Sequence, residues 1–205
     1  KTLCLIGSSC ITATGLFATA AQAQSISTDG TTPTTITGAC STGSCTITDG
    51  SRLGSSSNLF HCFTHFNVET NATVTFDPFA DVTNIFSRVT GSTASTINGT
   101  LAVSNDVNLF LLNPNGILFG ENAQLDIGGS FLASTADSIL FKDKTQFSAA
   151  TPAASSALLT VSVPEGLQFG SAPQNIDIGT DNVPSNRLYV GDGNTLAFVG
   201  GDVVL

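Results

Sequence analysis

The fold of this chain is decided by the stretch Val107-Asn108-Leu109-Phe110-Leu111-Leu112-Asn113-Pro114-Asn115-Gly116-Ile117-Leu118-Phe119-Gly120. Four consecutive polar or turn-forming residues, Asn, Pro, Asn and Gly, interrupt an otherwise apolar run. These residue types suit the four successive positions of a type I turn. The apolar flanks are rich in the residues that favour strands. The stretch therefore predicts a sharp corner between two apolar strands.

The same pattern of short apolar runs between Gly, Asn, Asp and Pro continues along the chain. Two similar segments, 123–132 and 194–204, each place a Gly-Gly step between two short runs. No stretch after the first 23 residues shows apolar residues at helical spacing. The pattern favours stacked coils of a right-handed parallel β-helix, about seven or eight of them at about 20 to 25 residues and about 4.8 Å of rise each. An immunoglobulin-like sandwich competes, but it would divide this length into two domains and no linker is visible.

The first residues have the features of a secretory signal. Lys1 precedes an apolar stretch from Leu3 to Ala20, and Ala21-Gln22-Ala23 matches the small-residue cleavage pattern. Serine and threonine interrupt the apolar stretch, which disfavours a membrane-spanning helix. We therefore expect a signal peptide over residues 1–23 and one domain over residues 24–205. Because residues 200–205 end within an apolar run with no polar cap, we also expect this domain to be the front part of a longer chain.

The chain is acidic, and its polar residues are mostly uncharged. It has 15 acidic and 6 basic residues and a net charge of −9. An acidic surface repels phosphate, so nucleic acid is not an expected partner. Serine, threonine, asparagine and glycine fill the polar positions, as is typical of β-turns and strand ladders.

Three cysteines follow the signal. Cys40 and Cys45 are separated by turn-forming residues, and an oxidising compartment would allow a small hairpin disulfide between them. The alternative is that both remain thiols. Cys62 lies between Phe60 and Phe63, which favours a buried thiol that acts as a small apolar side chain.

The sequence carries no strong metal or catalytic motif. His61 and His65 fall on the same face of a strand without a third ligand, so no metal site is predicted. An oxygen-rich stretch contains Asp177, Asp181, Asn182, Asp192 and Asn194, but its spacing matches no calcium loop. We expect no cofactor.

Carboxylates brought together by stacked coils could still form the active site of a polysaccharide-cleaving β-helix. The candidate sets are Asp77 and Asp81 with Arg88, or Asp106 with Asp126. No spacing in the sequence shows that either set meets. Aspartates around tight turns are the ordinary interpretation, and we predict no catalytic residue.

Four ordered blocks carry a family resemblance: Asn58–Val68, Ile85–Gly91, Ser95–Leu101 and the Asn-Pro-Asn-Gly-Ile run Asn113–Ile117. Together they resemble the two-partner secretion domain at the front of filamentous haemagglutinins and related exoproteins. The segment 158–170 is similar to large cyanobacterial members. An earlier Asn-Pro-Asn-Leu motif of the archetype has no counterpart here, and Phe76-Asp77-Pro78-Phe79 occupies a comparable stretch only loosely.

The resemblance implies an all-β, right-handed parallel β-helix with an amino-terminal β cap and small extra-helical β elements. It implies a secreted or cell-surface protein that leaves through the periplasm and outer membrane. The partner would be an outer-membrane β-barrel transporter with periplasmic POTRA domains, and the secretion motif would comprise Asn113, Pro114, Asn115, Gly116, Ile117 and Arg88.

In the family this domain templates the folding of downstream adhesin-like repeats of the same chain, which contact a host or cell-surface ligand. This interpretation predicts a targeting module and no enzyme. The alternative is an adhesin or glycan-binding β-helix in its own right. A polysaccharide-active enzyme is a less favoured third interpretation.

Overall fold

The computed structural model describes residues 25–152, 160–179 and 188–205, so the predicted signal peptide lies outside the described residues. Within these ranges the chain forms eighteen strands and no helix. None of the described residues belongs to a helix that is long and apolar enough to cross a membrane.

The strands form four sheets, which we call A to D. Sheet A contains β1 (Ile26–Thr28), β4 (Asn58–Phe66), β6 (Asn84–Val89), β9 (Asn108–Leu112), β12 (Phe131–Ser134) and β17 (Leu196–Val199). Sheet B contains β2 (Thr34–Gly38), β3 (Ser44–Asp49), β5 (Thr73–Phe76), β8 (Thr100–Val103) and β11 (Gln124–Ile127). Sheet C contains β7 (Ser95–Ile97), β10 (Ile117–Phe119), β16 (Ile176–Ile178) and β18 (Val203–Val204). Sheet D contains β13 (Ser138–Phe141), β14 (Gln146–Ser148) and β15 (Pro164–Gln168).

Sheets A, B and C are the three faces of a parallel β-solenoid, which confirms the predicted fold class. Successive strands visit B, A and C in turn, and each pairs in parallel with the strand one coil away. The solenoid has about six turns. The expectation of seven or eight was too high because sheet D takes residues out of the coils. Antiparallel β1 and β2 also leave the coil pattern and form the amino-terminal cap.

The inside of the solenoid is mostly apolar along the described coils. Leu59, Ile85, Leu109 and Phe131 are register neighbours on successive strands of sheet A, and all four are buried. Parallel stacking places each such side chain on its neighbour, so the core is continuous between coils. This continuity explains why the strands read as nearly unbroken apolar runs.

A ladder of asparagines runs along one border of sheet A. The Asn84 side-chain amide donates to Asn58 Oδ1 at 3.0 Å, and the Asn108 amide donates to Asn84 Oδ1 at 2.9 Å. Asn108 Oδ1 in turn accepts from the Ser130 backbone N–H at 2.8 Å. Each coil therefore fixes the register of the next through side-chain hydrogen bonds as well as through the sheet.

Sheet D covers part of the outer face of sheet A. Phe60, Phe86 and Phe110 form a stacked row there, with ring centroids 5.2 and 4.6 Å apart. Phe141 and Phe147 of sheet D pack against this row. The outer face thus has its own small apolar core, separate from the interior of the solenoid.

The two sequence segments with Gly-Gly steps are not equivalent in the fold. Gly128 and Gly129 join β11 of sheet B to β12 of sheet A, whereas Gly200 and Gly201 join β17 of sheet A to β18 of sheet C. Both steps serve close backbone approach: a Cβ on Gly129 would lie 2.5 Å from the Val107 carbonyl carbon, and one on Gly201 2.4 Å from the Pro173 oxygen. The two segments are similar because backbones approach closely at both corners, and only glycine allows this approach.

His61 is buried where the cap meets the first coil. Its ring packs on Phe63 and Phe76, and its Nδ1 lies 3.0 Å from Thr34 Oγ1 of the cap. Burial lowers the pKa of His61 from 6.5 to about 3, although Asp49 acts in the opposite direction. The imidazole is therefore neutral in the fold at neutral pH.

Because His61 is buried in its neutral form, we expect acid to lower the stability of the fold. Between pH 6.5 and about 3 the unfolded chain binds a proton at His61 and the folded chain does not. The free energy of unfolding should therefore fall as the pH drops through this window, by up to about 5 kcal/mol from this group. Urea unfolding across the window would measure the loss. His61→Gln is the control, and an unchanged pH slope in that variant would contradict the assignment.

Candidate functional site

The corner predicted from Asn113 to Gly116 joins β9 of sheet A to β10 of sheet C. The Gly116 N–H donates to the Asn113 carbonyl at 3.1 Å, which closes the turn. Gly116 has a φ of 109°, a left-handed conformation that favours glycine. Asn115 keeps a negative φ, as a type I turn requires at its third position.

Asn113 is fully buried and is the most connected residue of the corner. Its side-chain amide donates to the Thr93 carbonyl at 3.1 Å and lies 3.0 Å from Ser95 Oγ. Its Oδ1 accepts from the Asn115 backbone N–H at 3.0 Å. Asn113 therefore holds its own turn and also the preceding coil. Ser95, which is buried as well, was not singled out from the sequence because nothing local marks it as this partner.

Asn115 joins two of the sequence blocks that carry the family resemblance. Its side-chain amide donates to the Gly91 carbonyl at 2.7 Å. Gly91 ends the Arg-Val-Thr-Gly run that begins at Arg88, one coil earlier. Only glycine fits there, because a Cβ would lie 2.0 Å from the Thr64 carbonyl oxygen. The structure thus brings the two runs into one stacked corner.

Only part of this corner faces solvent. Pro114 and Asn115 are half-buried, Gly116 and Ile117 are buried, and Leu118 is 39% exposed. Beside them is an open depression of about 220 Å³ whose lining includes Asn115, Leu118, Gln174, Asn175 and Asp177. The surface offered by the folded corner is therefore small and mostly polar.

Arg88, the remaining residue of the predicted motif, is buried beneath sheet D. It is the register neighbour of Leu112, which immediately precedes the corner. Its Nη1 donates to the Ser148 carbonyl at 2.7 Å, and its guanidinium carbon lies 4.7 Å from the Phe147 ring centroid. The described residues form two ion pairs, and neither of them includes Arg88. The Arg88 Nε has no hydrogen-bond partner among these residues.

The cysteines have two different environments. Cys40 and Cys45 are joined by a disulfide across the turn between β2 and β3. Cys62 is a free, buried thiol on the outer face of sheet A, next to Arg88 in register. Burial raises the pKa of the Cys62 thiol, and the Arg88 charge only partly offsets this effect. A thiol of this kind is a poor nucleophile.

We expect mapping of the exported protein under non-reducing conditions to find Cys40 joined to Cys45 and Cys62 free. Closing so short a loop constrains the unfolded chain by about 2 kcal/mol, so the double serine variant should fold with a slightly lower urea midpoint. Cys62→Ala is the comparison variant, since it leaves the bond intact. Free thiols at both Cys40 and Cys45 would contradict the pairing.

The carboxylates considered for catalysis are not gathered with Arg88. Asp81 pairs with Arg52 at 2.6 Å, and the hydrogen bond from Arg52 lowers the pKa of Asp81. Asp181 and Asn182 of the oxygen-rich stretch lie outside the described residues. Among the residues that are described, no three histidine, cysteine or carboxylate side chains are grouped so as to hold a metal.

Comparison with known families identifies the type of domain that this chain forms. The model of the TPS secretion domain matches residues 23–205. The chain belongs to the TPS secretion domain family. No curated protein matches the sequence.

Membership in the TPS family makes this chain a two-partner secretion module, with a cognate transporter as its partner. Exoproteins with a TPS domain are secreted or displayed at the cell surface. The family and the solenoid fold together favour a role without catalysis.

Proposed function

We propose that the stacked corner of Gly91, Asn113 and Asn115 is the element by which this domain is selected for export. The selecting partner would be the POTRA domains of an outer-membrane β-barrel transporter. The observation that supports this most is the hydrogen bond from Asn115 to the Gly91 carbonyl. It makes one structural unit of two runs that are distant in sequence. Gly91, Pro114 and Asn115 are half-buried and the neighbouring Leu118 is exposed, so a partner can reach this surface.

We propose further that the solenoid templates the folding of repeats that follow it in the exoprotein. Edge strands support this role. Among the described residues, β11, β17 and β18 each end a sheet with one side unpaired. An unpaired strand edge presents backbone donors and acceptors at strand spacing, so a following coil can add to it.

The test compares export with stability. Replacing Asn113 and Asn115 together by alanine removes the donors to Thr93, Ser95 and Gly91, at a cost of about 2 to 4 kcal/mol. A selection role predicts that secreted yield, in cells carrying the cognate transporter, falls much further than the thermal midpoint does.

The control is a variant of equal stability that leaves the corner intact. Val74 is buried in sheet B inside the solenoid, and Val74→Ala should lower the midpoint without touching Asn113. If both variants are secreted equally well at equal stability, the corner is only structural. That outcome would favour the alternative in which the solenoid is itself an adhesin.

A further inference from the structure

The corner contains a chemically reactive step that the export function does not use. Asn115 is followed by Gly116, and the chain has a second Asn-Gly step at Asn98 and Gly99. In a flexible chain, glycine leaves its backbone nitrogen free to approach the preceding side-chain amide, because it has no Cβ to hinder that approach. Asn-Gly steps are for this reason prone to deamidation.

We propose that Asn115 is a site of spontaneous deamidation in the unfolded chain, and that its product cannot rebuild the corner. In the reaction the Gly116 nitrogen loses its proton and bonds to Asn115 Cγ, the bond from Cγ to the amide nitrogen breaks, and that nitrogen takes up a proton and leaves as ammonia. Water then opens the cyclic imide at either carbonyl. The products are aspartate and isoaspartate, and no oxidant or reductant is needed.

The folded corner blocks this reaction at both reacting atoms. The attacking Gly116 N–H is engaged with the Asn113 carbonyl at 3.1 Å. The leaving amide of Asn115 is held by the Gly91 carbonyl at 2.7 Å and lies 3.3 Å from Asn113 Oδ1. The coil must open before cyclisation can begin, so the rate in the fold is limited by the rarity of local opening.

The polarity of these contacts makes the product incompatible with the hydrogen bonds of the corner. The Asn115 amide faces two acceptors, the Gly91 carbonyl and Asn113 Oδ1. An ionised carboxylate has no hydrogen to donate, so aspartate at position 115 would place negative oxygens against both. Isoaspartate would in addition lengthen the backbone inside a closed turn.

Asn98 is the internal comparison, because its hydrogen-bond partners can accept a carboxylate in place of the amide. Asn98 Oδ1 accepts from the Asn122 backbone N–H at 3.1 Å, which a carboxylate oxygen can also do. Its amide donates to Thr70 Oγ1 at 2.7 Å, and a hydroxyl can reverse that bond and donate to a carboxylate. Aspartate should therefore be accepted at position 98 and rejected at position 115.

The first experiment uses the unaltered protein. Samples are aged in mildly alkaline buffer with and without urea, and peptide mapping measures conversion at Asn115. Conversion should be at least about tenfold slower in the folded sample, because it must await opening of the coil. After the unfolded sample is refolded, chains with converted Asn115 should unfold at a lower urea concentration than unconverted chains, which brief proteolysis near the urea midpoint followed by peptide mapping measures. Equal conversion rates in both samples, or equal urea midpoints of converted and unconverted chains, would overturn the proposal.

The second experiment compares Asn115→Asp with Asn98→Asp. The thermal midpoint of Asn115→Asp should fall by about 5 to 10 °C, whereas Asn98→Asp should stay within about 2 °C of the parent. If Asn115→Asp does not fold while Asn98→Asp does, that outcome also supports the proposal, because it is a still larger difference in stability. Equal stability of the two variants would overturn the polarity argument. Neither experiment involves the transporter, so the outcome is separate from that of the export test.

Discussion

Phe86→Ala should lower the free energy of unfolding by about 3 to 5 kcal/mol, which is the largest loss we expect from a single substitution. Phe86 is fully buried at the centre of the outer row, with Phe60 and Phe110 stacked on its two sides. Phe141 of sheet D meets its ring edge-on at 5.1 Å. Alanine would leave a cavity that stacked strands cannot close, since hydrogen bonds on both sides fix the spacing of β6.

Urea unfolding of the purified domain measures this loss. Phe79→Ala is the matched control, because Phe79 is 44% exposed and contacts Arg52 at the surface. That variant should lose less than about 1 kcal/mol. If Phe86→Ala lost as little as the control, the outer row would not be a true core, and sheet D would be only loosely attached.

The second large effect concerns Arg88, where two substitutions distinguish the contribution of side-chain volume from that of charge. Arg88→Ala should cost about 2 to 4 kcal/mol, because it removes the contact with Phe147 and leaves the Ser148 carbonyl without its donor. Arg88→Met keeps much of the volume and removes a buried charge that has no carboxylate partner in the described residues. Its stability should stay within about 1 kcal/mol of the parent, because an uncompensated buried charge is itself costly.

Hydrogen exchange locates the effect. Arg88→Ala should speed exchange at β13 and β14 of sheet D before it affects β8 and β11 of sheet B. If Arg88→Met proved as unstable as Arg88→Ala, the hydrogen bond to Ser148 would outweigh the cost of burying the charge. Secreted yield of Arg88→Met then tests export separately, since we expect its fold to be nearly intact.

The corner at residues 113–116 could be predicted because its determinants are adjacent in sequence. Asn, Pro, Asn and Gly each satisfy a local backbone requirement, and apolar runs on both sides indicate strands. The fold class followed from the same local features, repeated along the chain without helical spacing. The stacked β architecture could therefore be predicted without knowing which residues are in contact.

The position of sheet D and the places of the Gly-Gly segments depend on contacts between coils. For the Gly-Gly segments, the local sequence pattern indicated the wrong relationship. The Gly-Gly segments looked like one repeat but occupy different corners, because close approach of backbones selects glycine at either place. Sheet D was expected only as an unspecified extra element. Its position over Phe60 and Phe86 depends on packing between segments far apart in the chain.

Neighbouring residues and backbone sterics are enough to predict the all-β coil pattern, the turn at Asn113 and the family resemblance. The contacts of those residues follow only from the way the coils stack. The stacking register places Asn115 against Gly91, and the folding back of sheet D buries Arg88 beneath Ser148. Hydrogen-bond partners in a solenoid lie one coil away, and the distance along the chain between them changes with every insertion at a corner. Residue type and spacing alone therefore could not identify them.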